Sequence, residues 1–146
     1  MSRHTARIHA LNLVFQFPFH SEWDQALLKT ATMQYLANLP DLEGLVRGLS
    51  PDEADCAFIE DETFGTFAQL SQIDTQIDKL LKNWEISRIA KIDLALLRLA
   101  IYEIQFVSDI SPATAINEAV ELAKIYGADD SSSFINGLLG QVVKDG

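Results

Sequence analysis

The sequence predicts an all-α protein of about seven helices in two small packed helical subdomains, and three observations carry that expectation. Apolar residues recur at spacings of three and four through most of the chain, and no segment alternates with period two for long enough to make a strand. The third is the stretch 86–107, ISRIAKIDLALLRLAIYEIQFV, which has no Gly or Pro and is apolar nearly all the way round a helical wheel. Ile89, Ile92, Leu96, Leu99 and Tyr102 cover one side, and Ala90, Leu97, Ala100, Ile101 and Ile104 cover much of the rest. A helix apolar on several faces is wrapped by other helices or crosses a membrane. Asp93, Arg98 and Glu103 interrupt this one, so no uncharged run of about 20 residues exists and the membrane reading fails. At about 1.5 Å per residue the stretch reaches roughly 33 Å, the width of a small domain. It is expected to be the buried central helix.

The remaining elements follow in order. Residues 3–17 have helical spacing, with Ala6, Ala10, Leu13 and Phe17 on one apolar face, Ser2 as the cap and Pro18 as the stop. A second helix is expected over 22–38, with Ala26, Leu27, Met33, Leu36 and Ala37 as its core positions and Pro40 breaking it. Residues 41–49 carry two glycines and give the weakest helical signal. Ser50-Pro51 then reads as a helix start, Ser as cap and Pro in the first turn, with Asp52 and Glu53 at the positive end of the dipole. From there to residue 81 the apolar set is Phe58, Ile59, Phe64, Phe67, Leu70, Ile73, Ile77, Leu80 and Leu81. Gly65 or Ser71 marks a candidate kink, leaving one long helix or two. Residues 82–85 form a turn into the central helix. After it, Ser111 caps and Pro112 opens a helix to Tyr126 that buries Ile116, Ala119, Val120 and Ala123, with Gly127 at its end. Residues 129–133 offer caps for a last helix over 134–143.

A chain of 146 residues is read as a single domain, 1–146, with subdomains near 1–70 and 71–146. Hydrophobic residues make up 48% and mean hydropathy is +0.08, which argues for a packed core and against disorder. The single cysteine, Cys56, permits no internal disulfide and suits a reducing compartment. The apolar stretch near the N-terminus is broken by His9, Asn12, Gln16 and Pro18 and shows no small-residue cleavage site, so no signal peptide is read and the cytoplasm is the expected address. The net charge of −10 repels phosphate backbones at long range. A nucleic-acid role therefore needs a local basic patch or a basic partner protein.

Catalytic chemistry finds no support. The three histidines, His4, His9 and His20, lie near the N-terminus, with no His-Glu-x-x-His and no Glu at the spacing of di-iron bundles. Consecutive residues of a helix point apart, so Glu60-Asp61-Glu62 reads as a solvated face before it reads as a metal site. Cys56 reads as an inert thiol, and Glu118 and Glu121 as surface carboxylates. There is no glycine-rich phosphate loop. No catalytic residue, metal or cofactor is expected.

Three C-terminal segments say more than "helical domain". They are W-x-x-x-R-I-A-K-I-D-x-A-x-L-R-L-A-I-Y-E over 84–103, A-I-N-E-A-V-E-L-A-K over 115–124, and Asp130-Ser131 followed by Phe134-Ile135-Asn136-Gly137 after the turn 126–129. Together, in this order and register, they resemble the NusB family of transcription antitermination factors over roughly residues 58–143. The first helix fits more loosely, through Ala6-Arg7, Ala10 and Phe15. The resemblance implies an all-helical fold of two subdomains with the helix at 86–107 central to the second. It also implies a job of recognition, with no reaction catalysed: binding boxA-type single-stranded RNA together with a basic small-subunit ribosomal protein (NusE), within the transcription elongation complex, to promote read-through in ribosomal RNA operons. Single-stranded RNA is read by stacking bases on aromatic side chains and by cations on phosphate.

Carried over residue by residue, the resemblance implies an RNA surface of Arg3, His4 and Arg7 in the N-terminal arm, Phe15 as a stacking ring where the family usually has Tyr, and Phe134 at the last helix. Ser131, Ser132 and Ser133 stand at that helix's N-terminus, where phosphate is favoured; apart from the resemblance, Arg88 and Lys91 are expected to face RNA from their place at the exposed start of the central helix. Asn136 is expected to be buried, and Arg98 to serve the bundle. The arm has fewer arginines than the family's, and Leu94, Ile125 and Ser133 stand where cations are frequent, so the resemblance implies RNA binding that leans on the basic partner. The alternative is a NusB-fold protein–protein adaptor or homodimer with weakened or lost RNA binding. A targeting module of an RNA methyltransferase is a third reading, disfavoured because no cofactor-binding segment follows.

Overall fold

A computed structural model describes residues 1–39, 51–82 and 85–146. Among these residues there are seven α-helices, two short 3-10 turns and no strand, which bears out the all-α expectation. The chain forms two compact units, Met1–Ala68 and Gln69–Gly146. No helix among the described residues is long and apolar enough to cross a membrane.

In the first unit, α1 (Arg3–Phe15) begins where Ser2 accepts a hydrogen bond from the Thr5 amide, as its position predicts. It stops at Phe15, two residues short of expectation, because Pro18 lacks an amide hydrogen and the chain tightens into a 3-10 turn over Phe17–Phe19. Its burial exceeds one apolar face: every residue from Thr5 to Leu11 is buried, including Arg7 and His9. Helix α2 (Gln25–Ala37) is capped by Asp24, whose carboxylate accepts from the Leu27 amide at 2.8 Å.

Here the expected core face was wrong. Leu27 and Met33 are 47% and 58% exposed, and Ala26 and Ala37 are exposed too. The inward face is Leu28 and Thr32, continued by half-buried Tyr35 and Leu36, a spacing of four, three and one that runs down one side of the helix. Apolar residues sit on both sides of α2, so hydropathy alone did not choose between them. The expected elements over 41–49, and the cap at Ser50, lie outside the described residues.

Helix α3 (Glu53–Ala68) starts with a reciprocal pair between Asp52 and Asp55. Asp52 accepts from the Asp55 amide at 2.8 Å, and Asp55 accepts from the Asp52 amide at 2.9 Å. The Asp52 amide, first, and the N-terminal ammonium 3.2 Å away favour the ionised form and hold the Asp55 carboxyl below its ordinary value. The core of this unit gathers Ala6, Leu13 and Ile59, flanked by Tyr35, Leu36 and Phe58. The expected solvated face at 60–62 needs correcting at one position, since Glu62 is fully buried while Asp61 is exposed.

The second unit opens at Gln69, which separates α3 from α4 (Leu70–Leu81), so the long apolar run is two helices and neither Gly65 nor Ser71 is the break. Lys82, at φ 56°, turns the chain out of α4; Asn83 and Trp84 of the expected turn lie outside the described residues. The central helix is shorter than expected. Ile86–Arg88 is a 3-10 turn, Ile89 and Ala90 are extended, and α5 runs from Lys91 to Phe106, about 24 Å at ~1.5 Å per residue. Its burial is as expected over the middle, where every residue from Asp93 to Glu103 is buried and α4, α6 and α7 pack around it, while Ile92 and Ile104 are half-buried and Ala90 is exposed.

Helix α6 (Pro112–Tyr126) has Ser111 as cap and proline in the first turn, both as predicted. Gly127 then lets α7 (Ser131–Asp145) approach, because a Cβ there would stand 2.6 Å from Ser131 Cβ and 2.8 Å from the Ala123 carbonyl oxygen. Helix α7 begins three residues earlier than expected and buries Ile135, Leu138, Leu139 and Val142. Asn136 is exposed, contrary to expectation, because these four residues take the inner face.

Candidate nucleic-acid interface

The expected RNA residues fall in both units. In the first, Arg3 and Arg7 are four apart on α1 and so share a face. Both guanidinium carbons lie over the Phe58 ring, at 4.3 and 5.4 Å from its centroid, within the range of cation–π attraction. The two differ in availability: Arg3 is exposed and Arg7 is 3% exposed. Arg3 keeps its guanidinium over the Phe58 ring and open to solvent, where a phosphate can meet it, and Arg7 serves the packing of α1 on α3. His4 is half-buried. Phe15, at the end of α1, is half-buried against Phe19 with ring centroids 5.6 Å apart.

Phe19 is the ring that sequence reasoning missed. It is 58% exposed, far more open than Phe15, and the Phe-Pro-Phe triplet that builds its 3-10 turn was the available signal. Beside it in sequence, His20 stacks flat on Trp23, with centroids 4.2 Å apart and planes at 5°.

In the second unit the fold builds a cleft of about 830 Å³ between the end of α4, the 86–90 turn, the start of α5 and one side of α7. It brings together two residues expected from sequence, Arg88 and Phe134, and adds Lys79 and Lys82, which the sequence reading did not single out. Their signal was the cluster of cations at the end of an amphipathic helix. Asp93, Asp130 and Asp145 line the same cleft, so it is mixed in charge, with an exposed aromatic edge. Lys91 is exposed at the first turn of α5 but is not among the lining residues.

The three serines divide. Ser131 is 1% exposed, and its hydroxyl accepts from the Ala128 amide at 2.9 Å, closing the α6–α7 turn. Ser132 is half-buried and Ser133 exposed on the first turn of α7, whose amides leave that end electropositive. No group of three or more His, Cys, Asp or Glu side chains suited to a metal occurs among the described residues. Burial and the nearby carboxylates of Glu60, Asp55 and Asp52 raise the Cys56 thiol above its ordinary value, which disfavours the reactive thiolate.

Fold and site define an all-helical, two-unit protein that presents aromatic rings among cations, the side-chain set with which proteins hold single-stranded nucleic acid. Comparison with known proteins gives the family. The NusB family model matches residues 4–144. A transcription antitermination protein NusB from Acetivibrio thermocellus is 41% identical over 144 residues, covering 99% of this chain and 90% of the relative. The NusB of Natranaerobius thermophilus is 39% identical over 142 residues, covering 97% and 94%. Among solved structures, NusB of T. maritima superposes with a TM-score of 0.78 at 30% identity, over 99% of this chain and 92% of that one. The chain belongs to the NusB family, and its function is transcription antitermination.

Proposed function

We propose that the chain acts in antitermination by binding boxA-type single-stranded RNA together with the small-subunit ribosomal protein NusE, on the transcription elongation complex in the cytoplasm. The chemistry is recognition; nothing is transformed. The observation that carries this reading is the cleft of the second unit, where Phe134 offers a stacking surface among Lys79, Lys82 and Arg88. Stacking is indifferent to backbone charge and the cations meet phosphate, so the two together suit a strand with its bases splayed out. Arg3 and the Phe15–Phe19 pair add the same two kinds of contact from the first unit, and the two units work as a single NusB-like domain. The basic partner supplies attraction that a chain of net charge −10 lacks.

A gel shift at moderate salt tests the reading, comparing boxA RNA with a scrambled strand, with and without the ribosomal protein. Selective retention of boxA is expected. Phe134→Ala should weaken binding about tenfold, the loss of one stacked base, and Arg3→Ala should weaken it less, with helical content unchanged in both. Arg3 is the better probe than Arg7, whose removal would open the α1–α3 packing. No boxA selectivity even with the partner present would leave the adaptor or homodimer reading standing in its place.

A further inference from the structure

The exposed cation of the first unit is held by a ring, and that ring belongs to another helix. Arg3 is the first residue of α1, and no acidic residue shares that first turn. The helix dipole makes this end electropositive, so α1 itself disfavours a cation there. Among the described residues no carboxylate lies within ion-pair distance of the Arg3 guanidinium either. What holds it is Phe58 of α3, whose ring centroid is 4.3 Å from the guanidinium carbon. The ring is itself fixed, half-buried and packed against the core of Ala6, Leu13 and Ile59.

The kind of partner matters. A carboxylate would neutralise Arg3 and compete with phosphate for the same N–H groups. An aromatic face attracts a cation without cancelling its charge, and a guanidinium stacked on a ring keeps its planar fork of donors for an anion. Elsewhere in the chain the partner is a carboxylate, as for Arg98 with Asp74 and Lys124 with Glu121. Arg7 shares the ring, its guanidinium carbon 5.4 Å from the centroid, but is 3% exposed and not open to a strand. Arg3 is exposed. One ring thus serves packing through Arg7 and presents Arg3 to solvent.

We propose that Phe58 is a positioning residue for RNA binding: its ring holds the Arg3 guanidinium charged and in place, so that a phosphate is met without first ordering a long side chain. This inference rests on the RNA reading above and adds the residue that sets its contact in the first unit. Arginine loses rotamer freedom when it is immobilised, and a contact made in advance takes that loss out of binding. Phe58 acts through Arg3 and reads no base.

Fluorescence anisotropy with the full chain, the ribosomal protein and a labelled boxA strand tests it. Phe58→Leu should weaken binding about threefold, the scale of one exposed cation–π contact. In an Arg3→Ala background the same substitution should change affinity no further, since the ring then has nothing to place. A purely structural role for Phe58 would weaken binding by the same factor in both backgrounds and overturn the proposal. Phe58→Tyr, which keeps the aromatic face, should restore the affinity that Phe58→Leu loses. Ring-fluorinated phenylalanines at position 58 keep the packing where leucine loosens it. Each added fluorine draws charge from the ring face, and affinity should fall stepwise with it. Affinity that ignores fluorination overturns the proposal without recourse to the other variants. RNA binding that Arg3→Ala leaves unchanged overturns the role of the ring alone. No binding of the boxA strand, with the partner present, overturns the RNA reading with it.

Discussion

At the scale of single residues, burial has settled roles that residue type left open. His9 is fully buried on α1, with Nδ1 2.7 Å from the Tyr35 hydroxyl, and Asn12 donates to that same hydroxyl oxygen at 2.9 Å. The hydroxyl oxygen accepts from Asn12 and shares one hydrogen with Nδ1, and burial of the ring favours the neutral imidazole. Burial holds its pKa below the ordinary value of 6.5. The sign of the linkage follows. Above about pH 6.5 the ring is neutral in both folded and unfolded chains and its contribution is complete. As pH falls through that value the unfolded chain takes up a proton that the folded chain refuses, and stability is lost until the lower folded pKa is reached. The urea midpoint of the protein should therefore fall between about pH 7.5 and about pH 5.5. In His9→Gln, which starts lower because the bond between the ring and the Tyr35 hydroxyl is lost, the midpoint should fall less over that interval. Equal falls in both proteins would assign the acid sensitivity elsewhere.

At the scale of elements, two clamps join α4 to α5. Gln76 and Gln105 exchange amide hydrogen bonds at 2.7 and 2.6 Å, and Arg98 grips Asp74 through two parallel bonds. Arg98 is 9% exposed, so removing Asp74 strands a desolvated charge. Asp74→Asn should cost about 2 kcal/mol in urea unfolding, less than a fully buried pair because the Asp74 side chain keeps 30% of its surface in water. Arg98→Met combined with Asp74→Leu should recover most of that loss, since no charge then remains to be solvated. This pair also shows where sequence reasoning stops. Asp93 lies five positions from Arg98, a spacing not suited to pairing along a helix, and no local rule reaches across 24 positions to Asp74. Caps, by contrast, are local chemistry, and Ser2, Ser111 and Pro112 were legible at once. The break at Ile89–Ala90 carries no Gly or Pro and left no mark, which is why Arg88 was expected on the central helix. At the candidate site, Phe134 was legible through the family resemblance and Arg88 through its place at the exposed start of the central stretch. Lys79, Lys82 and Phe19 came from tertiary placement, and the burial of Arg7 and Ser131 from packing that residue type does not announce.

At the scale of the whole molecule, the charge distribution bears on how RNA is held. The chain has 21 acidic residues against 11 Lys and Arg, and seven of those cations belong to the second unit. Three of the seven line the cleft. The protein is acidic overall, and its cleft sets these three cations beside Asp93, Asp130 and Asp145, so counterion release measures how many of the cations touch phosphate. Each phosphate neutralised on a single strand contributes about 0.7 to the slope of log affinity against log salt. Contacts from Lys79, Lys82, Arg88 and Arg3 would give a slope near −3, shallow for a nucleic-acid binder. Replacing Lys79 and Lys82 by Gln should flatten it by roughly 1.4 and weaken all sequences alike. Phe134→Ala should instead lower affinity at every salt concentration and leave the slope where it was, because a stacked base releases no counterions. Titrations across a salt series with one boxA strand distinguish these outcomes. An unchanged slope in the double lysine variant would remove the cleft from the phosphate path. A slope steeper than four contacts allow would mean that strongly basic surface from outside this chain holds most of the strand.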